Sequence, residues 1–450
     1  MMETTPNRIK GLKSYSGLVL FFIFSFMFFG CVPKKEESLT GKTVTIWHWM
    51  TDRDQTFQEL ARRYEEKTGV RVDFELYAPS DAYSQKVRAA AQGENLPDIF
   101  GLLAEKRDFA SFVKAGYVSN LTVQMKENNA EWEKKFFPKA LAVNEFIEGN
   151  SYGVPAGIYG VPVDVMTITM LYNKTLFKEL GLDPKRPPAT WNDFLAVGEK
   201  IKEAKKQGLV SGWGEIWMID CLASNFAFNI MGRDKFLATL RGEVPYTDPD
   251  WIRVLTLFKE MQDSGLLYNG LVSMVNKTAE QIFANERAVF AFNGSWGVNV
   301  YNGMNPKLDY GVMLLPRVSD KFPVSVWGGA GSSFMVYNKS KNKDEAVRFL
   351  KWLTEKEQQV FLAAQTKNLP ANKEAIGNIS PIMAQFSLGL EYATHPNTWG
   401  FSESSQVTEA FDKGVQSIII GEKTPQQVAE EAQKIKEREL TRKKSSQPAK

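Results

Sequence analysis

Residues 43–76, TVTIWHWMTDRDQTFQELARRYEEKTGVRVDFEL, read as a strand, a helix and a second strand. In the first six residues Val44 and Ile46 share one face, the period of two expected of a half-buried strand. From 54 to 67 the apolar residues Phe57, Leu60, Ala61 and Tyr64 recur at i, i+3, i+4 and i+7, which lines them up on one helix face. Gly69 follows as the stop, because glycine takes the left-handed conformation that ends helices. Val70, Val72, Phe74 and Leu76 then alternate again. A further helix around 83–91 and an apolar stretch after Leu96-Pro97-Asp98 continue the alternation. Strand–helix–strand–helix order predicts an α/β fold with a largely parallel sheet.

The same style persists downstream, with more helix. Thr190 and Asp193 form a capping box before Phe194, Val197 and Ile201, and Thr278 and Gln281 repeat the pattern before Ile282 and Phe283. Asp344 opens a helix with Ala346, Leu350 and Leu353 inward. Thr424 caps a last helix, with Pro425 at its first position and Val428, Ala432 and Ile435 as its buried stripe. Residues 441–450 are basic and polar, and are expected to be a disordered tail.

Upstream, Arg8, Lys10 and Lys13 precede an apolar run of twelve residues, 18–29, broken by Ser25. A spanning helix needs about 20 residues, so this run reads as the core of a signal peptide over 1–30. Gly30-Cys31 at its end has the form of a lipoprotein cleavage site, with Phe28 where leucine is usual. Cys31 is therefore the expected lipidation site, and 31–41 a polar tether holding the protein at the outer face of the membrane. Loss of 1–30 removes three cations and one anion, and the net charge falls from +3 to +1. That balance argues against nucleic acid, which needs a strongly basic face. Two cysteines, one of them Cys31, rule out a disulfide framework, and two histidines make a histidine-based metal site improbable. No metal or cofactor is expected. About 420 residues exceed what one core holds, so two lobes are expected.

Several motifs occur in a telling order: Ile46-Trp47-His48-Trp49, Lys67-Thr68-Gly69, Leu96-Pro97-Asp98-Ile99, Ala115-Gly116-Tyr117 and Tyr152-Gly153-Val154-Pro155. Leu171-Tyr172-Asn173-Lys174, Pro188-Ala189-Thr190-Trp191, Asn293-Gly294-Ser295-Trp296 and Gly328-Gly329-Ala330-Gly331 follow. In this the chain resembles the family 1 extracellular solute-binding proteins of bacterial ABC importers, which include maltose-binding proteins. The likeness covers most of 42–438. It implies a monomer of two α/β lobes joined by chain crossings near 163–167 and 326–331, with ligand in the cleft. Lobe 1 would hold 42–163 and about 332–372, and lobe 2 would hold 168–326 and about 378–438. It also implies partnership with transporter permease subunits and no catalysis.

The eleven tryptophans are the most informative residues for cargo. Sugar rings show C–H faces and hydroxyl edges, so their sites combine flat aromatic platforms with a few oriented polar groups. Trp296 follows the turn residues Asn293-Gly294-Ser295, where the resemblance implies a stacking ring. His48 and Trp49 lie just past the first strand, at the carboxyl end where open α/β sheets bind ligands. Trp327 precedes Gly328 and Gly329, whose backbone would approach a hydroxyl or serve as a hinge. Trp399 and Trp213 are further candidate rings, and Tyr159 a candidate edge. Glu105 and Asp164 are the candidate polar contacts, each equally readable as an ordinary surface carboxylate. Trp132, Trp191, Trp251 and Trp352 sit inside helical patterns and read as packing.

Catalytic motifs are weak. Ser111-Phe112-Val113-Lys114 and Lys67-Thr68-Gly69 fit the S-x-x-K and K-T-G of penicillin-recognising enzymes, but in reversed order and without S-D-N. A glycosidase would also use tryptophan platforms, and its two carboxylates carry no motif. The same fold with a non-sugar cargo is the other alternative.

Overall fold

The computed structural model describes residues 42–78, 80–102, 106–150, 152–329, 331–394 and 403–445. Residues 1–41 with Cys31, and Glu105 and Trp399, lie outside them. No described helix is long and apolar enough to cross a membrane.

The opening segment folds as its periodicity dictates. Strand β1 (Thr43–His48) runs parallel to β2 (Arg71–Leu76) on one side and to β3 (Ile99–Gly101) on the other. Val44, Ile46 and His48 are buried in alternation. Helix α1 (Asp54–Thr68) buries Phe57, Leu60, Ala61 and Tyr64 and ends at Gly69, which is left-handed at φ 74°. Phe57 stacks on Phe74 of β2 with ring centroids 4.8 Å apart. Two strands from far along the chain complete this sheet: β11 (Ser333–Val336) pairs with β3, and β4 (Val161–Pro162) pairs with β11.

The second sheet is built around β6 (Thr167–Asn173), all seven residues of which are buried. β8 (Phe290–Gly294), β9 (Tyr310–Met313) and β10 (Trp327–Gly328) each pair with it antiparallel. β7 (Leu209–Val210) adds to β8 in parallel. The chain thus adopts the two-lobe α/β fold, but its sheets are mixed where largely parallel ones were expected. β4, β6, β10 and β11 flank the crossings between lobes, and a chain that leaves one lobe and later returns enters with its direction reversed.

Helices behave as their caps predict, with two exceptions. Thr190 accepts from the backbone N–H of Asp193 and opens α2 (Trp191–Glu203). The long α3 (Trp217–Arg241), α4 (Pro249–Asp263) and α7 (Ser405–Ile419) share one aromatic core with α8 (Pro425–Ser445). Thr424 and Gln427 close a reciprocal capping box at the start of α8. Thr278, however, lies inside α5 (Asn276–Ala284), whose cap residue is Val275, so its capping-box reading fails. Helix α8 also runs to Ser445, beyond the expected start of a disordered tail at Thr441, whose hydroxyl bonds back to the Glu437 carbonyl at 2.9 Å.

The crossings lie side by side and are stitched by backbone. β5 (Asp164–Val165) pairs with β12 (Leu369–Pro370). The N–H of Val163 donates to Ser332, that of Gly331 to Asp164, and that of Gly329 to Met166, at 2.8, 3.2 and 2.9 Å. The buried Gln359 side chain donates to the Val163 carbonyl at 3.1 Å and accepts from the Ala371 N–H at 2.8 Å. Gly328 holds φ 149°, and a Cβ there would stand 2.3 Å from the Met166 carbonyl oxygen. Forcing an L residue into such a conformation costs about 1–3 kcal/mol. Gly328→Ala should therefore lower the thermal midpoint measurably, and an unchanged midpoint would show that the crossings tolerate a side chain there.

Candidate functional site

At the end of β8 the chain turns through Gly294 and Ser295 into α6 (Gly297–Met304), and Trp296 is the residue at that turn. Its ring lies flat against Gly294: a Cβ on that glycine would come 1.9 Å from the indole. Trp296 stays half-buried and donates its Nε1–H to Oε1 of Glu280 on α5 at 3.2 Å. Glu280 is 3% exposed and also accepts from Asn293 Nδ2 at 3.2 Å and Asn276 Nδ2 at 3.1 Å. Burial raises its pKa above the usual carboxylate range, against the pull of these donors. Beside Trp296 stands Trp217, the first residue of α3, its ring 6.1 Å away and tilted by 44°. Trp217 is 38% exposed and donates to Glu215 Oε2 at 3.4 Å.

The other lobe also sets a tryptophan against a strand-end glycine, in a different orientation. Trp49, just past β1, turns the edge of its six-membered ring to Gly101 at the end of β3, where a Cβ would come 2.3 Å from Cζ3 and 3.2 and 3.3 Å from the two ring atoms beside it. Tyr83 supports the ring at 5.3 Å, and its hydroxyl donates to the Gly101 carbonyl at 2.6 Å. In both lobes a glycine at a strand's carboxyl end leaves room for a tryptophan: Trp296 lays its face on Gly294, and Trp49 sets its edge against Gly101. A flat apolar face with its N–H fixed at one edge is what aromatic recognition of a C–H surface requires.

The remaining candidates are placed differently. His48 is fully buried between Phe57 and Phe74, with Nε2 3.2 Å from Asp54, and burial lowers its pKa despite that carboxylate. Trp213 is likewise fully buried, edge-on to Phe258 at 5.6 Å. Trp327 belongs to the same core. Gly328 and Gly329 are taken up by the crossings. Asp164 accepts from Arg53 and, at 2.6 Å, from the Ser332 N–H. Tyr159 is buried against Phe146, and its hydroxyl donates to the Pro155 carbonyl at 3.0 Å.

Sequence reasoning passed over three residues that matter to this geometry. Trp217 went unselected beside Trp213, although the start of α3 between them puts one ring outside and the other inside. Glu280 looks like any helical acid, and Arg53 like any loop cation. A groove of about 470 Å³ also lies between the lobes, lined by Thr51, Asp52, Lys277, Gln281, Asn299 and further residues of α6. None of the sequence-selected residues lines it. Across it Asn299 Nδ2 donates to the Asp52 carbonyl at 3.4 Å, a direct bridge between the lobes.

Comparison with known proteins agrees with this architecture. The chain is 25% identical over 332 residues to the multiple sugar-binding protein of Streptococcus mutans, covering 71% of this chain and 73% of that one. It is 27% identical over 290 residues to the sn-glycerol-3-phosphate-binding periplasmic protein of Escherichia coli O1:K1, covering 60% and 64%. A solved chitin oligosaccharide binding protein superposes with a TM-score of 0.73 at 24% identity, over 88% of this chain and 98% of the other. Residues 59–383 match the family described as bacterial extracellular solute-binding protein, and the chain belongs to that family.

Proposed function

We propose that the protein captures a carbohydrate outside the cytoplasmic membrane and delivers it to the permease subunits of an ABC importer by hinge closure. The observation that carries this is the pair of glycine-seated tryptophans, Trp49 and Trp296, one at the strand ends of each sheet. Rings contributed by separate lobes favour a ligand that bridges them, and a bridging ligand stabilises the closed form. The lobes are taken as 42–163 with about 332–372, and 168–326 with about 378–438. Multiple sugar and chitin oligosaccharide binding by similar proteins supports a saccharide cargo. A phosphorylated solute fits less well, because the polar groups fixing Trp217 and Trp296 are the carboxylates of Glu215 and Glu280, which repel an anion. Glu105 and Trp399 remain proposed contacts.

A melting-shift screen against mono- and oligosaccharides should find a stabilising sugar, since any ligand that binds only the folded state raises its midpoint. Trp296→Ala should weaken that sugar's binding about thirtyfold to hundredfold, equivalent to about 2–3 kcal/mol, while the melting point holds. A collapsed melting point or unaltered affinity would remove Trp296 as the platform.

Anchoring is a separate proposal, drawn from the charged, apolar and Gly30-Cys31 succession at the start of the chain. Acylated Cys31 would hold the monomer to the membrane through the 31–41 tether. Cys31→Ser should move the protein from the membrane fraction to a soluble or unprocessed form. Normal processing with full membrane retention would dispose of the lipid anchor.

A further inference from the structure

Glu280 is a buried carboxylate on which several side chains converge. It sits on α5 behind Trp296, and three N–H donors converge on its Oε1: Asn276 Nδ2, Asn293 Nδ2 and Trp296 Nε1, at 3.1, 3.2 and 3.2 Å. Its other oxygen faces the Lys277 ammonium at 3.6 Å. Three donors on one oxygen suit an ionised acceptor, and charge-assisted bonds of this kind are roughly twice as strong as neutral ones. An amide-lined apolar pocket would have been satisfied by a neutral residue, and an isolated buried charge is costly to keep. What distinguishes this position is the indole it holds. Asn276 carries the same network onward, because its backbone N–H donates at 3.0 Å to Glu215, the acid that holds Trp217.

We propose that Glu280 is a positioning residue for the ligand platform: its carboxylate fixes the tilt of the Trp296 indole so that one ring face stands open beside Trp217. The ring has two seats. Gly294 supports its face and prevents it from sinking, while Glu280 holds its N–H edge and prevents it from turning. Without the second seat the ring keeps its apolar contact and loses its angle. The inference rests on the carbohydrate reading for its purpose, and on the hydrogen bonds alone for its geometry.

The groups facing Glu280 are Lys277 on its own helix, Asn293 from β8, the buried Tyr301 of α6 and, through Asn276, Glu215. Tyr301 accepts from the Asn293 side chain at 2.9 Å and so orients the amide that reaches Glu280. None of these groups bonds the Trp296 indole; Glu280 does, and burial raises the pKa of its carboxyl. The indole proton should therefore report its ionisation.

The test uses full-length protein labelled with 15N at tryptophan, with the Trp296 indole resonance identified by its disappearance in Trp296→Phe. Across pH 4–9 that resonance should titrate above the ordinary carboxylate range. Glu280→Gln should abolish the titration yet keep the indole N–H protected, because the amide oxygen still accepts its bond. Glu280→Ala should speed hydrogen exchange at that N–H at least tenfold. Should Glu280→Ala fail to fold, the Gln variant decides alone. A Trp296 resonance that ignores pH, or one that titrates unchanged in Glu280→Gln, overturns the proposal. None of these readouts needs a ligand: a protein that binds no saccharide sinks the functional reading and leaves this titration standing.

Discussion

The structure turns on the polar joint that Arg53 makes where the chain crosses between lobes. Arg53 stands at the start of α1, 7% exposed, and its guanidinium meets the Asp164 carboxylate of the first crossing. The same Nη1 reaches Ser332 Oγ of the second crossing at 3.2 Å. Asp164 returns the contact by accepting the Ser332 N–H. Neighbouring Asp52 accepts from Asn368, just before β12, at 3.1 Å. A loop at the carboxyl end of one sheet is thereby fastened to both crossings and to the start of β12. Removing one partner of a buried ion pair typically costs about 3–5 kcal/mol, so the joint is strongly specified.

That placement links the hinge to the site. The loop from Trp49 to Arg53 carries a candidate ring at one end and the crossing contact at the other, with the Asp52 carbonyl bridged to Asn299 of the opposite lobe between them. The contact with the crossings thus lies four residues along the chain from Trp49. Asp164, expected as a ligand contact, serves the joint instead because its two oxygens already have partners. Gly328 and Gly329 do the same with their backbone, which pairs with 166–167.

Local features were legible in the sequence because they depend on spacing alone. The helix over 54–67, its Gly69 stop and the Thr190 and Thr424 caps all appear where the pattern put them. His48 was readable too: it continues the Val44 and Ile46 face, and period two alone assigns it to the core. Its position at a strand end outweighed that signal and led to a ligand role. Strand direction was not legible, since it follows from which distant segments cross between lobes. Nor was the choice between Trp213 and Trp217, which depends on where α3 begins. Glu280 was hidden for a different reason, as a buried acid is unfavourable unless its donors are known, and Asn276, Asn293 and Trp296 come together only in the fold.

The central claim is that a saccharide closes the two lobes upon each other. Small-angle scattering of the protein alone, and saturated with the saccharide that most raises its melting point, addresses it directly. The account predicts a smaller radius of gyration in the saturated sample, with the same molecular mass. Equal radii in the two samples would contradict a closing cleft.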